Sequence, residues 1–155
     1  MSELAQKISQ AVLELPAIGE GAKGSQKKNY TEALSHRVSD ILAEELRALG
    51  LSGVEFHARG LDKQFMGGYG PKGVDVFLSD EKHGLLLTSG VKGILFDARK
   101  NLLNRYRDMV MEALELHKRF PYAVCGHLFF MGRDEALRDE RKFGSVLAKA
   151  QRRSL

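Results

Sequence analysis

Three apolar runs, each too short for a stable helix, constrain this chain most: residues 73–78, 84–92 and 122–131. Runs of that length bounded by polar turns read as strands. Only the turn 79–83 separates the first two, so they predict an antiparallel hairpin. The third lies beyond residues 98–119, where Leu102, Tyr106, Met109, Ala113, Leu116 and Phe120 recur at steps of three and four. That spacing predicts a helix, and Leu103, Val110 and Leu114 add a second stripe that widens its buried face. A helix of this length is the usual crossover that returns the chain to a sheet parallel to itself. The run 122–131 is apolar almost throughout, which predicts a central strand covered on both faces.

The remainder surrounds this core. Leu4, Ile8, Val12 and Leu15 predict a helix over 3–15, stopped by Pro16. Residues 18–28 are rich in Gly and Lys and read as a loop. A stronger helix is predicted over 30–49, with Gly50 as its C-terminal glycine. Val54, Phe56 and Ala58 alternate with Glu55, His57 and Arg59, a strand period over 53–59. Residues 60–72 hold four of the sixteen glycines and a proline and read as a loop. A last helix is predicted over 133–151, ending basic at Arg152 and Arg153. The order is helix, three strands, helix, strand, helix: an α/β architecture, a mixed sheet flanked by helices. One domain spans 1–155. It comprises an N-terminal helix and Gly/Lys-rich loop over 1–29, a core over 30–131 and a C-terminal basic helix over 132–155.

Composition narrows the function classes. The 155 residues carry a formal net charge of +4, with 20 acidic against 24 basic side chains. That suits a nucleic-acid partner and excludes a polycationic coating protein. The single cysteine, Cys125, lies in an apolar run and reads as a small core residue rather than a nucleophile. It allows no intrachain disulfide, as a reducing cytoplasm favours. No run of about 18 apolar residues predicts a membrane span, and residues 1–15 lack the pattern of a secretory signal. A cytoplasmic location and no membrane partner are expected.

Two charges stand inside the predicted strands. Asp75 lies between Val74 and Val76, and Lys92 closes the next strand. Such groups are costly to bury unless they are paired or hold a metal. The plain alternatives are an aspartate on the wet face of an edge strand and a lysine whose stem covers apolar surface. Together on adjacent strands, a carboxylate and a lysine suit a divalent cation and a water beside a phosphodiester. Glu45 falls within the apolar face of the helix over 30–49 at roughly 100° per residue, where it either faces the sheet or reaches solvent from a frayed last turn. Glu55, with His57 on the same face of the first strand, is the fallback acid. His36, His83, His117 and His127 show no ligand spacing for zinc. The loop 60–72 lacks phosphate-loop spacing but carries Lys63 and Lys72, either for contact with a nucleic-acid strand or as a plain hairpin connection. Asn101, Arg105, Asp108, Glu112, Glu115 and Arg119 form one side of the long helix. Arg99, Lys100, Asn104, Arg105 and Arg107 near its start suit phosphate contacts.

Asp75, Lys92 and Glu45, in this order of elements, resemble the PD-(D/E)xK nuclease superfamily, the restriction-endonuclease-like fold, over residues 30–131. The resemblance implies a magnesium-dependent deoxyribonuclease, with Mn²⁺ as a substitute, that cuts double-stranded DNA as a homodimer. It implies that Asp75 and Glu45 hold the metal, with Glu55 in reserve and the backbone carbonyl of Val91 assisting. Lys92 then supports the attacking water and the phosphate. Lys63, Lys72, Arg99, Lys100, Asn104 and Arg105 face DNA. Two departures are plain: the acid expected two residues before the lysine is Gly90, and no proline precedes Asp75. Either another acid replaces it, with Glu45 first, Glu55 second and Asp108 or Glu112 third, or the domain binds nucleic acid without cutting. A third reading is a structural or assembly protein in which Asp75 and Lys92 merely pair.

Overall fold

The computed structural model describes residues 3–19, 21–56, 63–96 and 98–131. Among the described residues, three helices surround a mixed four-stranded sheet, and a separate two-stranded ribbon lies beside it. Helix α1 (Glu3–Glu14) packs against α2 (Gly24–Ala48). Strands β1 (Glu55–Phe56), β4 (Val76–Asp80), β5 (Gly84–Ile94) and β6 (Val124–Met131) form the sheet in the order β1-β4-β5-β6. The first two pairings are antiparallel; β5 and β6 are parallel, joined through α3 (Ala98–Arg119). The ribbon is β2 (Lys63–Met66) with β3 (Pro71–Val74).

Helix α2 starts six residues before the sequence pattern predicts. Ser25, Gln26, Lys27 and Lys28 are tolerable helix formers. The Gln26 side chain accepts the Lys23 N–H at 2.8 Å, which satisfies one orphan donor of the first turn. The helix ends as expected at Gly50, at φ 99°. The N–H groups of Gly50 and Leu51 donate to the carbonyls of Arg47 and Leu46, closing a Schellman motif.

One irregularity sets which side chains meet. Leu78 pairs with Leu87 and Ser79 with Leu85, so Leu86 is an extra residue, a β-bulge that inverts the alternation of β5. Leu85 and Ile94 therefore both pack on the α3 side of the sheet, while Val91 packs on the α2 side. Val76 likewise joins Leu34, Val38 and Ala43 of α2, and Phe77 joins Leu116 of α3. These two apolar layers hold the sheet between the helices. Burying a side chain such as Leu34 or Leu116 contributes roughly 1.5–3 kcal/mol.

Four expectations are corrected. Residues 63–74 are not a loop but a hairpin seated on α3: the Gly68 N–H donates to the Glu115 carbonyl at 2.8 Å. A Cβ at Gly68 would lie 2.5 Å from the Lys118 side chain, so glycine permits the close approach. The strand of 122–131 is not central: β6 pairs only with β5 and ends the sheet among the described residues. The second stripe of α3 is not buried, since Leu103 and Leu114 are exposed. The strand predicted over 53–59 begins at Glu55 rather than at residue 53, and residues 57–59 lie outside the described residues. The helix predicted over 133–151 lies outside the described residues. No helix among the described residues is long and apolar enough to cross a membrane.

Candidate active site

The chain bends at Asp75, between β3 and β4, one step beyond the Val76–Ser89 pair of the sheet ladder. By that register Asp75 stands opposite Gly90, and Lys92 follows two residues later on the same face. The Asp75 Oδ2 accepts the Val91 N–H at 2.7 Å and lies 3.3 Å from the Lys92 Nζ. The two side chains are 32% and 29% exposed, so the pair is neither sealed in the core nor free in solvent.

Asp75, Val91 and Lys92 line a cleft of about 790 Å³ at the end of the sheet. Its walls are the first turns of α2 and α3. Lys27, Lys28, Glu32 and His36 come from α2, Asn101 and Arg105 from α3, and Phe96 from the segment between β5 and α3. The Lys27 ammonium lies 5.2 Å from the centre of the Phe96 ring, a cation–π contact that leaves its charge beside the cleft. Asn101 donates from Nδ2 to the Phe96 carbonyl at 3.0 Å and fixes the approach to α3. Lys28 and Glu32 are 3.6 Å apart at i, i+4, and Arg105 and Asp108 are 3.1 Å apart at i, i+3.

The remaining sequence candidates divide clearly. Glu45 does not reach this cleft. It pairs with Lys7 of α1 and lies thirteen residues beyond Glu32, about 20 Å along the helix. The partner its position demands is a lysine from the packed neighbouring helix, whose pKa the contact raises. Glu55 is exposed opposite Phe77 and lies off the cleft. Lys72 is paired with the buried Glu115 carboxylate at 2.9 Å, which ties the ribbon to α3. Lys63 is exposed on the ribbon, and Asn104 is exposed but off the cleft. His57, and the side chains of Arg99 and Lys100, lie outside the described residues.

Sequence reasoning missed Lys27, Lys28, Glu32 and His36. Their signal is a stripe at 24, 27, 28, 31, 32, 35 and 36, a helical period that the Gly/Lys-rich composition of 18–28 conceals.

Among the described residues, no group of three or more His, Cys, Asp and Glu stands ready to hold a metal ion. The residues present still fit a magnesium ion. Mg²⁺ commonly takes one or two carboxylates and completes its shell with water and substrate phosphate. Asp75 offers that carboxylate with Oδ2 anchored by the Val91 N–H, while Oδ1 makes no hydrogen bond among the described residues. No protein-family model, no curated protein and no solved structure matches the chain.

Proposed function

We propose that this chain is a divalent-metal-dependent DNA endonuclease with a restriction-endonuclease-like core, acting on double-stranded DNA as a homodimer. The observation that carries the reading is the Asp75–Lys92 pair, held by the Val91 N–H at the mouth of a cleft flanked by Lys27, Lys28 and Arg105. An anchored carboxylate, a lysine and converging cations are what phosphodiester hydrolysis asks of a protein.

A bound divalent cation supplies Lewis-acid polarisation of the phosphate and a more acidic water. Asp75 would hold that cation, its carboxylate being anchored by the Val91 N–H. Lys92 orients the attacking water and offsets the charge that develops on the phosphorus oxygens. Lys27, Lys28 and Arg105 hold neighbouring phosphates and fix the register of the strand. The water oxygen bonds to phosphorus as the water gives up a proton to solvent, the bond to the leaving sugar oxygen breaks, and that oxygen takes a proton from solvent.

The competing reading is a nucleic-acid-binding module without catalysis, favoured by Gly90 where the related pattern has an acid. Incubating supercoiled plasmid with Mg²⁺ or Mn²⁺ separates the two. Cutting that depends on metal and falls about a hundredfold or more in Asp75→Ala and Lys92→Ala is expected. Binding that persists in EDTA, with no cutting under either metal, would replace the nuclease by the binding module.

A further inference from the structure

The four-stranded sheet ends differently at its two edges. At one edge β1 is two residues long and carries the exposed Glu55. A short, charged edge is how proteins keep a sheet from pairing with another chain. At the other edge β6 is eight residues long, about 26 Å of extended chain. It pairs with β5 along its length without a shift of register. It contains no proline and no Asp, Glu, Lys or Arg. Leu128 and Phe130 pack in the α2 layer, and Phe129 and Met131 in the α3 layer. Both faces of β6 are therefore engaged, as its apolar sequence asks. What is left over is a long backbone edge with none of the usual devices against pairing. Among the described residues no strand but β5 pairs with it.

The chain's own remaining segments are poorly placed to supply the missing strand. Residues 57–62 join β1, at the far edge, to a ribbon that leads straight into β4. To lie beyond β6 they would cross about 19 Å of sheet and return, whereas six extended residues span about 20 Å in all. Residues 132–155 leave from the end of β6. Asp, Glu, Lys or Arg fills eight of the ten places in 133–142, where a returning hairpin strand would stand. A second copy of β6 meets the requirement. Two such strands laid antiparallel about a twofold axis bring no like charges together, and each satisfies the other's edge. The blunted β1 edge stops further growth, so the assembly closes at two copies.

We propose that β6 is a self-association edge. Two copies pair through β6, antiparallel, and join their four-stranded sheets into one in the order β1-β4-β5-β6-β6-β5-β4-β1. This names the interface of the homodimer in the reading above and rests on that reading for the dimer's purpose; the edge itself is argued from the sheet alone.

The test is sedimentation of the full chain over a range of concentrations, with amide exchange measured alongside. Every second amide of an edge strand points to solvent and exchanges fast, and a paired edge protects them all. The wild type sediments as a dimer, at twice the 17.3 kDa of the chain, with consecutive β6 amides protected. Dilution to monomer releases every second one. Val124→Lys changes a side chain that is 62% exposed, so the fold is retained. It weakens the dimer about tenfold, since the substitution enters the interface twice. A monomer at every concentration, a dimer in which alternate β6 amides exchange freely, or a dimer indifferent to Val124→Lys would each overturn the proposal. Protection of the whole strand in a monomer would assign the edge to residues 132–155 and overturn it as well. The plasmid assay fails separately. A monomer that cuts leaves the nuclease and removes this interface, and a β6-paired dimer that does not cut does the reverse.

Discussion

Gly90 is the position where one atom tells most. A methyl group there meets the His127 Cδ2 at 2.7 Å, and His127 is held by burial and by stacking on Phe129 at 6.4 Å between ring centres. Neither ring turns aside easily, so Gly90→Ala costs about 1–3 kcal/mol by overpacking. Gly24→Ala, where nothing lies within 4 Å, stays within about 0.5 kcal/mol. Urea unfolding of the two variants measures the contrast, and equal midpoints would mean that the space over Gly90 is not tightly enclosed. The turn between β4 and β5 gives a pH prediction. Asp80 accepts the His83 N–H at 2.5 Å and lies 2.9 Å from the His83 Nδ1. Hydrogen bonds from the His83 side chain and backbone hold the Asp80 carboxyl below its ordinary value. A carboxylate with a depressed folded pKa contributes stability above its unfolded pKa and loses it as pH falls through the folded one. The melting-temperature gap between wild type and Asp80→Ala is therefore steady above about pH 5 and narrows as pH falls below about 4. A gap that widens on acidification would reverse the assigned sign.

Elements differ in how far their own residues specify them. The ribbon β2–β3 has little apolar surface: Phe65 and Val74 face the core, and Phe65 meets Phe77 and Phe120 edge-on at 5.4 and 6.0 Å. It is held instead to α3 by the Gly68 N–H on the Glu115 carbonyl and by Lys72 on the Glu115 carboxylate. Gly68→Ala forces its Cβ into the Lys118 stem and breaks that seat. Amide exchange within 63–74 is expected to rise selectively, with β4–β5 protection retained; uniform loss would mean that the ribbon is not a separable unit. This dependence on a tertiary seat is why the ribbon reads as a loop from sequence: three glycines and a proline dominate 67–71, and Glu115 of α3 lies more than forty residues away. The same reason hides the partner of Glu45. Its place on the apolar face of α2 is legible, but a lysine on α1 as partner requires knowing how two helices pack. Asp75 and Lys92 were legible because a charge inside a short apolar run is a local anomaly. The length of α3 was legible because its period is unbroken over residues 98–119. The bulge at Leu86 was not: nothing local marks an extra residue in an apolar strand, yet it turns Lys92 to the same face as Asp75.

For the whole molecule, the distribution of charge matters more than its sum. A net charge of +4 is modest, but the cleft gathers Lys27, Lys28, Lys92 and Arg105 at one end of the sheet. Lys72, equally basic in sequence, is spent on Glu115. On the proposed reading, duplex DNA would bind along the cleft and release counterions in proportion to the phosphates neutralised, so affinity would fall with salt by a slope of about −0.9 per contact. Replacing Lys27 and Lys28 together by glutamine therefore makes the slope of log affinity against log salt shallower by about two. The exposed Lys28–Glu32 pair at 3.6 Å does little to oppose this, because surface ion pairs are worth roughly 0–1 kcal/mol and yield to a phosphate. Lys72→Gln leaves the slope unchanged, since its ammonium is engaged within the protein. Filter binding of a short duplex over a series of salt concentrations, in EDTA so that no strand is cut, reads all three slopes. A slope near zero in the wild type would remove nucleic acid as the partner and leave the Asp75–Lys92 pair as a structural ion pair. A slope that Lys72→Gln reduces and the Lys27–Lys28 double variant does not would move the contact surface from the cleft to the ribbon.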